Sequence, residues 1–191
     1  NYFKHNPIDC LKIVPSHWKA LKDDDLMLLP SKMLIFGGEL LSTNNSQEIL
    51  NTGTSCKIIN HYGPTETTIG KLLHEVIPGY NYGSSIPVGK PFSNTQVYIV
   101  NTQMELCSIG VPGELYIGGD GVSKGYLNNN TLTDSKFILD PFKKQGRIYA
   151  TGDLVRYLPD GNIEFLGRID DQVKIRGYRV ELNEIAAAIE N

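Results

Sequence analysis

The chain has 191 residues, 40% hydrophobic and 20% charged, an ordinary globular composition with enough length for a sizeable core. A formal net charge of −3 offers no broad basic face for nucleic acid, no apolar run is long enough for a bilayer, and the start does not read as a secretory signal. Cys10, Cys56 and Cys107 stand far apart without metal-ligand spacing, as reduced thiols of a cytoplasmic protein would.

From the start to about residue 80, helix and strand signals alternate. In "PSHWKALK", Ser16 is a candidate N-cap before the helical spacing of Trp18 and Leu21. "KMLIFGG" is a short apolar run ended by glycines, as a buried parallel strand would be. "STNNSQEILNTG" opens with cap residues and stops at Gly53, and "CKIIN" is a second apolar strand. Strand, helix, strand over this length is a βαβ unit, and ligands of such sheets bind beyond the carboxyl ends of the strands. "NHYGPTETT", Asn60 to Thr68, lies there.

From 81 to 169 the pattern becomes all-β. "TQVYIVN", "GELYIGG", "RIYATGD", "LVRYL" and "NIEFLGR" are short strands punctuated by Gly, Pro and Asn, and "LPDGN" is a hairpin signal. Short strands at regular spacing predict a small distorted barrel or sandwich. Residues 170–191 start afresh. "DQVKIRGYRVEL" alternates Val173 and Ile175 against Lys174 and Arg176 as one half-buried strand, and "NEIAAAIEN" begins a helix with Asn183 as a possible cap. The expected fold class is therefore α/β plus β: the end of a βαβ subdomain (1–80), a β-barrel subdomain (81–169), and the hinge and first strand and helix of an α+β domain (170–191). With no initiator Met and a last helix cut at Asn191, the chain reads as a piece of a larger protein.

"NHYGPTETT" carries the parts of a nucleotide triphosphate site. Its Tyr can stack on a base, its Asn can read a base edge, its Gly-Pro turns the backbone, its Thr hydroxyls suit phosphate, and its Glu suits Mg²⁺. The same residues would also serve a plain strand-to-helix turn. Asp153 in "YATGD" could grip ribose hydroxyls and Arg168 could meet phosphate, or they could be a turn Asp and a surface Arg. Gly121 to Gly125 matches G-x-S-x-G. A hydrolase needs a later His, however, and all four histidines precede Ser123, while "NNNTLTDSK" reads as no immediate helix. The stretch "GGDGVSKGY" reads instead as a glycine-rich hairpin. No His/Cys pair has zinc spacing.

Taken in order, "NHYGPTETT", "GELYIGGDGVSKGYLNN" and "YATGDLVRYLPDGNIEFLGRIDDQVKIRGYRVELNEI" resemble the adenylation domains of nonribosomal peptide synthetases. These belong to the adenylate-forming superfamily, with acyl-CoA synthetases and luciferases. The resemblance implies two half-reactions. An amino acid carboxylate attacks the α-phosphate of Mg-ATP, and the aminoacyl group then passes to the phosphopantetheine thiol of a carrier domain.

The resemblance also implies residue roles. Tyr62 stacks on adenine with Asn60 at its edge and Phe165 near its other side, beside the Gly63 turn. Thr65 meets phosphate, Glu66 holds Mg²⁺, Asp153 takes the ribose hydroxyls, and Arg168 approaches ribose or phosphate. Asp170 is the hinge, and Lys174 to Gly177 belong to the segment used in thioester formation. The family usually has other residues at Lys124, Ala150 and Ala186, none of them central. The family's phosphate loop and amine-binding Asp are expected before Asn1 and its catalytic Lys beyond Asn191, so this piece alone is expected not to adenylate.

The family's side-chain pocket aligns with Lys12, Ile35, Gly37, His61, Ile69 and Gly70. A buried ammonium needs a counter-charge, and this lining resembles that of members taking Asp, with Asn the nearest rival. The bland alternative turns Lys12 to solvent and puts Ile13 in the pocket. Two rival functions stand beside this reading: a stand-alone acyl-CoA or amino acid–carrier ligase, and a non-catalytic nucleotide-binding or interaction module.

Overall fold

The computed structural model describes residues 5–21 and 29–190. In chain order its elements are β1 (Cys10–Ile13), α1 (Pro15–Leu21), β2 (Met33–Gly37), α2 (Thr43–Leu50), β3 (Lys57–Tyr62), β4 (Leu72–Glu75), β5 (Lys90–Pro91) and β6 (Thr95–Val100). They continue with β7 (Gly113–Gly119), α3 (Asn130–Lys136), β8 (Phe137–Leu139), β9 (Arg147–Tyr157), β10 (Ile163–Arg168), β11 (Gln172–Ile175), β12 (Tyr178–Glu181) and α4 (Leu182–Glu190). The chain divides into two compact units, the first formed by Asn1–His61, His74–Pro87 and Asp171–Asn191, the second by Tyr62–Leu73 and Val88–Asp170.

In the first unit β1, β2 and β3 run parallel in that order, with Lys12 opposite Ile35 and Ile35 opposite Ile59. Alternation along each strand sends Leu34, Phe36 and Ile58 to one face, where they bury with Trp18, Leu41 and Ile49. The expected βαβ unit is present. Ser42 caps α2 by accepting the Asn45 N–H at 3.2 Å, and Gly53 follows at φ +72°. The expected cap at Ser16 is not: α1 starts at Pro15, which needs no N–H partner there. Ser16 sits inside the first turn and donates its N–H and hydroxyl to the Glu39 carboxylate at 3.0 and 2.9 Å.

The stretch expected as one strand in 172–181 is a hairpin. β11 and β12 pair antiparallel, with Ile175 opposite Tyr178, around a two-residue turn of Arg176 and Gly177 at φ +53° and +81°. Positive φ at both positions matches the right-handed twist of the strands, and Gly177 supplies it without strain. Ile175 is exposed, whereas Val173 and Val180, opposite each other in the hairpin, are half-buried. Asn183 lies in the first turn of α4 rather than before it, and its side chain is outside the described ones.

The second unit holds an antiparallel sheet in the order β10-β9-β7-β6, with β8 paired to β9. It occupies the all-β region expected from the sequence. Its core packs Ile99, Leu115, Ile117, Val155 and Ile163. "RIYATGD" and "LVRYL", expected as two strands, are the single strand β9. Gly152, at φ +72°, lets the strand bulge there instead of breaking. "LPDGN" closes the β9–β10 hairpin, with the Leu158 N–H on the Asn162 carbonyl at 2.8 Å. "GGDGVSKGY" is a loop leading to a helix, not a hairpin. The helix α3 forms within "NNNTLTDSK" because the Asn129 side chain accepts the Leu132 N–H at 3.0 Å and caps it.

Candidate active site

Two irregularities in β9 and β10 build the first cluster, all within the second unit. Between the β7–β9 pairs Glu114–Leu154 and Tyr116–Ala150, three residues of β9 face Leu115 alone. The Thr151 hydroxyl holds this bulge by donating to the Leu115 carbonyl at 2.7 Å and accepting the Asp153 N–H at 3.0 Å, while Gly152 N–H donates to Glu114. A second bulge at Leu166 brings Arg168 opposite Asp153.

The result is a charged chain. The Tyr62 hydroxyl donates to Asp153 Oδ2, and Arg168 donates to Asp153 Oδ1 at 2.7 Å and to the Thr151 carbonyl at 2.8 Å. The other edge of the guanidinium grips Asp170 at 2.8 and 2.6 Å. Burial opposes the Arg168 charge, but the hydrogen bonds and charges of Asp170 and Asp153 outweigh it and raise its pKa further. Burial, then the Asp153 charge, pushes the Tyr62 phenol well above its ordinary value, so it stays a donor. Tyr62 and Phe165 pack against the same core. The structure thus joins Tyr62, Asp153, Arg168 and Asp170, four residues the sequence singled out separately.

The second cluster surrounds Glu66. Gly63 is required, since a Cβ there would lie 1.5 Å from the Ile69 carbonyl oxygen. The chain then makes a 3-10 turn, Thr65–Thr67, and returns through Thr68 and Ile69 at φ +65° and +64°. Thr67 and Thr68 spend their hydroxyls on the carbonyls of Pro64 and Gly121, at 3.2 and 2.9 Å, whereas Thr65 is exposed. Glu66 is 6% exposed. The Tyr126 hydroxyl donates to its Oε1 at 2.8 Å, and its carbonyl accepts the Ser123 N–H at 2.8 Å. Tyr126 and Tyr149, whose hydroxyls lie 3.3 Å apart, were not singled out from sequence. Each stood inside a quoted motif, but nothing in the spacing showed which Tyr faces Glu66.

In the first unit Lys12, Ile35, Gly37 and His61 share the sheet face opposite the core, as register and alternation require. Leu11 and Ile13 pack on the core, so Ile13 is on the other face. A Cβ at Gly37 would lie 2.8 Å from the His61 carbonyl oxygen and 3.8 Å from both His61 Nδ1 and Lys12 Cε. Burial, then the Lys12 charge, lowers the His61 pKa below its ordinary value. Lys12 itself is exposed. Asn60 is buried and donates its amide hydrogens to the Ile86 and Pro87 carbonyls at 3.1 and 2.9 Å, which ties β3 to that segment. Ile69 and Gly70 belong to the second unit and Lys174 to the first.

The AMP-binding enzyme family matches residues 1–127 of this chain. The chain belongs to the AMP-binding enzyme family. It is 48% identical over 184 residues to bacitracin synthase 3 of Bacillus licheniformis, covering 96% of the chain and 3% of that protein. To surfactin synthase subunit 1 of Bacillus subtilis (strain 168) it is 45% identical over 195 residues, covering 99% of the chain and 5% of that protein. The chain therefore spans a small part of the curated relatives it matches.

Among solved structures, the chain is similar to an NRPS protein containing adenylation and PCP domains, bound to a vinylsulfonamide inhibitor. The TM-score is 0.91 at 28% identity, over 99% of this chain and 33% of that one. It is also similar to the Vibrio cholerae adenylation domain AlmE in complex with glycyl-adenosine-5'-phosphate, with a TM-score of 0.86 at 31% identity, over 99% and 36% of the two chains.

Proposed function

We propose that this chain is part of an adenylation domain of a nonribosomal peptide synthetase, which activates an amino acid with ATP and hands it to a carrier domain. The observation that carries the reading is the chain from Tyr62 through Asp153 and Arg168 to Asp170. Asp153, 3% exposed, presents a carboxylate suited to two vicinal hydroxyls of a ribose. Both of its oxygens are held by Tyr62 and Arg168, so ribose hydroxyls would exchange with these donors. Tyr62 and Phe165 then offer ring faces for adenine, Thr65 its exposed hydroxyl for phosphate, and Arg168 its charge for phosphate or ribose. For Asn60 the reading keeps only a base-edge position, since its amide hydrogens are engaged within the fold.

Glu66 fits Mg²⁺. No group of three or more His, Cys, Asp or Glu among the described residues forms a metal cage, and Mg²⁺ commonly uses one or two carboxylates plus substrate phosphates. When bound, the ion would neutralise charge on the triphosphate, while Glu66 holds it in place.

The unit boundary between Asp170 and Asp171 supports Asp170 as the hinge, with Lys174 to Gly177 carried on the hairpin beyond it. The reading keeps 1–80, 81–169 and 170–191 as an α/β subdomain, a β subdomain and the start of a small domain. It places the protein in the cytoplasm. No described helix is long and apolar enough to cross a membrane.

The substrate in this reading is Asp. Lys12 and His61 stand on one sheet face across Gly37, and the Lys12 ammonium would attract the side-chain carboxylate of a bound Asp. Ile35 lies on the same sheet face, and Ile69 and Gly70 enter the lining by the resemblance alone. The test is ATP–pyrophosphate exchange by the complete adenylation domain across twenty amino acids. Asp-dependent exchange is expected, Asn-dependent exchange would shift the substrate, and no exchange with any amino acid would sink the function. The piece 1–191 alone is expected to show none.

A further inference from the structure

We infer that Tyr126 is the positioning residue for Glu66: its phenol fixes the carboxylate that holds the magnesium of the nucleotide. The inference rests on the reading of Glu66 above. Tyr126 is itself locked from three sides within the second unit. Its N–H donates to the Thr133 hydroxyl at 2.9 Å, which anchors it to the first turn of α3. Its ring stands edge-on to Phe137, with centroids 5.4 Å apart. Its hydroxyl meets that of Tyr149 at 3.3 Å. The Tyr149 hydroxyl interacts with both the Tyr126 hydroxyl and the Glu66 carboxylate. Gly125 must be glycine for this approach, since at φ +138° a Cβ would lie 2.3 Å from Thr133 Cγ2.

The same loop also grips the backbone of Glu66 through the Ser123 N–H. The loop between β7 and α3 is thus a clamp on the Glu66 residue, backbone and side chain together. A hydroxyl donating to a carboxylate is a charge-assisted hydrogen bond, stronger than a neutral one and directional. It selects one rotamer of Glu66, and an ion is bound best by a ligand already in place.

The test compares wild type, Tyr126→Phe and Glu66→Gln in the complete adenylation domain by equilibrium binding. The probes are α,β-methylene ATP across a Mg²⁺ titration, and AMP without Mg²⁺. For Tyr126→Phe, affinity for the analogue at limiting Mg²⁺ should fall about tenfold, the loss recovering in part at high Mg²⁺ and AMP affinity unchanged. Superimposable Mg²⁺ titrations of Tyr126→Phe and wild type, with Glu66→Gln weakened, would overturn the role of Tyr126 and leave that of Glu66. Equal weakening of AMP would also overturn it, by marking Tyr126 as merely structural. If Glu66→Gln itself shows wild-type Mg²⁺ dependence, the reading of Glu66 falls and this inference with it. Should Tyr126→Phe fail to fold, Thr133→Val removes the hydroxyl that accepts the Tyr126 N–H and loosens Tyr126 without touching Glu66. A smaller shift in the same direction supports the clamp, and none refutes it.

Discussion

Arg168 and Asp153 face each other across β9 and β10 as a pair 2.7 Å apart, with side chains only 17% and 4% exposed. Removing one member of such a buried pair strands the other charge. Arg168→Met, which keeps the stem and removes the charge, should destabilise the protein by about 3–5 kcal/mol. Asp153→Asn should cost less, because Arg168 keeps Asp170. Urea unfolding of the three proteins checks the order. Equal stabilities would mean that the pair is solvated in solution.

Gly63 concerns space and not flexibility. The Ile69 carbonyl oxygen lies 1.5 Å from where its Cβ would be, and that carbonyl sits in a backbone return with two positive-φ residues. Gly63→Ala should therefore destabilise by about 3 kcal/mol or more and displace Glu66, which is three residues on. Thermal unfolding and nucleotide binding read the two effects. A variant of wild-type stability would contradict the geometry of this turn.

His61 carries a pH signature. Its pKa is lowered by burial and by Lys12, so the fold favours the neutral ring. That contribution to stability is fully present above the ordinary value of about 6.5 and is lost as pH falls through the lower folded value. An NMR titration should place His61 below the ordinary value, and Lys12→Met should bring it part of the way back, leaving the burial effect. Bound Asp should raise it through its side-chain carboxylate, whereas bound Asn should not. A His61 pKa at or above the ordinary value in the free protein would contradict the environment described.

Asn60 tests scaffold against contact. Asn60→Ala would leave the Ile86 and Pro87 carbonyls without its two amide hydrogens, a cost of about 2 kcal/mol. Chemical denaturation measures it, and a neutral substitution would show that these carbonyls find other donors.

The legible parts of this protein were the ones written in local chemistry. The apolar run of β2, the cap at Ser42 and the hairpin at "LPDGN" each carry their reason within a few residues. Tyr62, Glu66, Asp153 and Arg168 stood out by residue type, but each also suited a plain turn or surface position, and it was the resemblance to ordered family motifs that grouped them. Errors came where a local pattern has two solutions. "DQVKIRGYRVEL" alternates well enough for one strand, yet Arg176 and Gly177 turn it into two. Gly152 looks like the end of a strand and is a bulge within one. "NNNTLTDSK" looks like a loop until Asn129 caps it.

By itself, the sequence determined the order of α/β and β regions and the inventory of nucleotide-type side chains, since these depend on residue type, period and spacing, and its ordered motifs resembled those of one family. Tertiary structure decided which groups meet. It set Tyr62 on Asp153, 91 residues away, because a two-residue surplus in β9 re-aims the Asp. It placed Tyr126 against Glu66, 60 residues away, because a loop closes over the 3-10 turn. It put Lys12 and His61 on one sheet face, because parallel register aligns them. Pairings over such distances follow from sheet register and from bulges, and no local pattern in the chain encodes either.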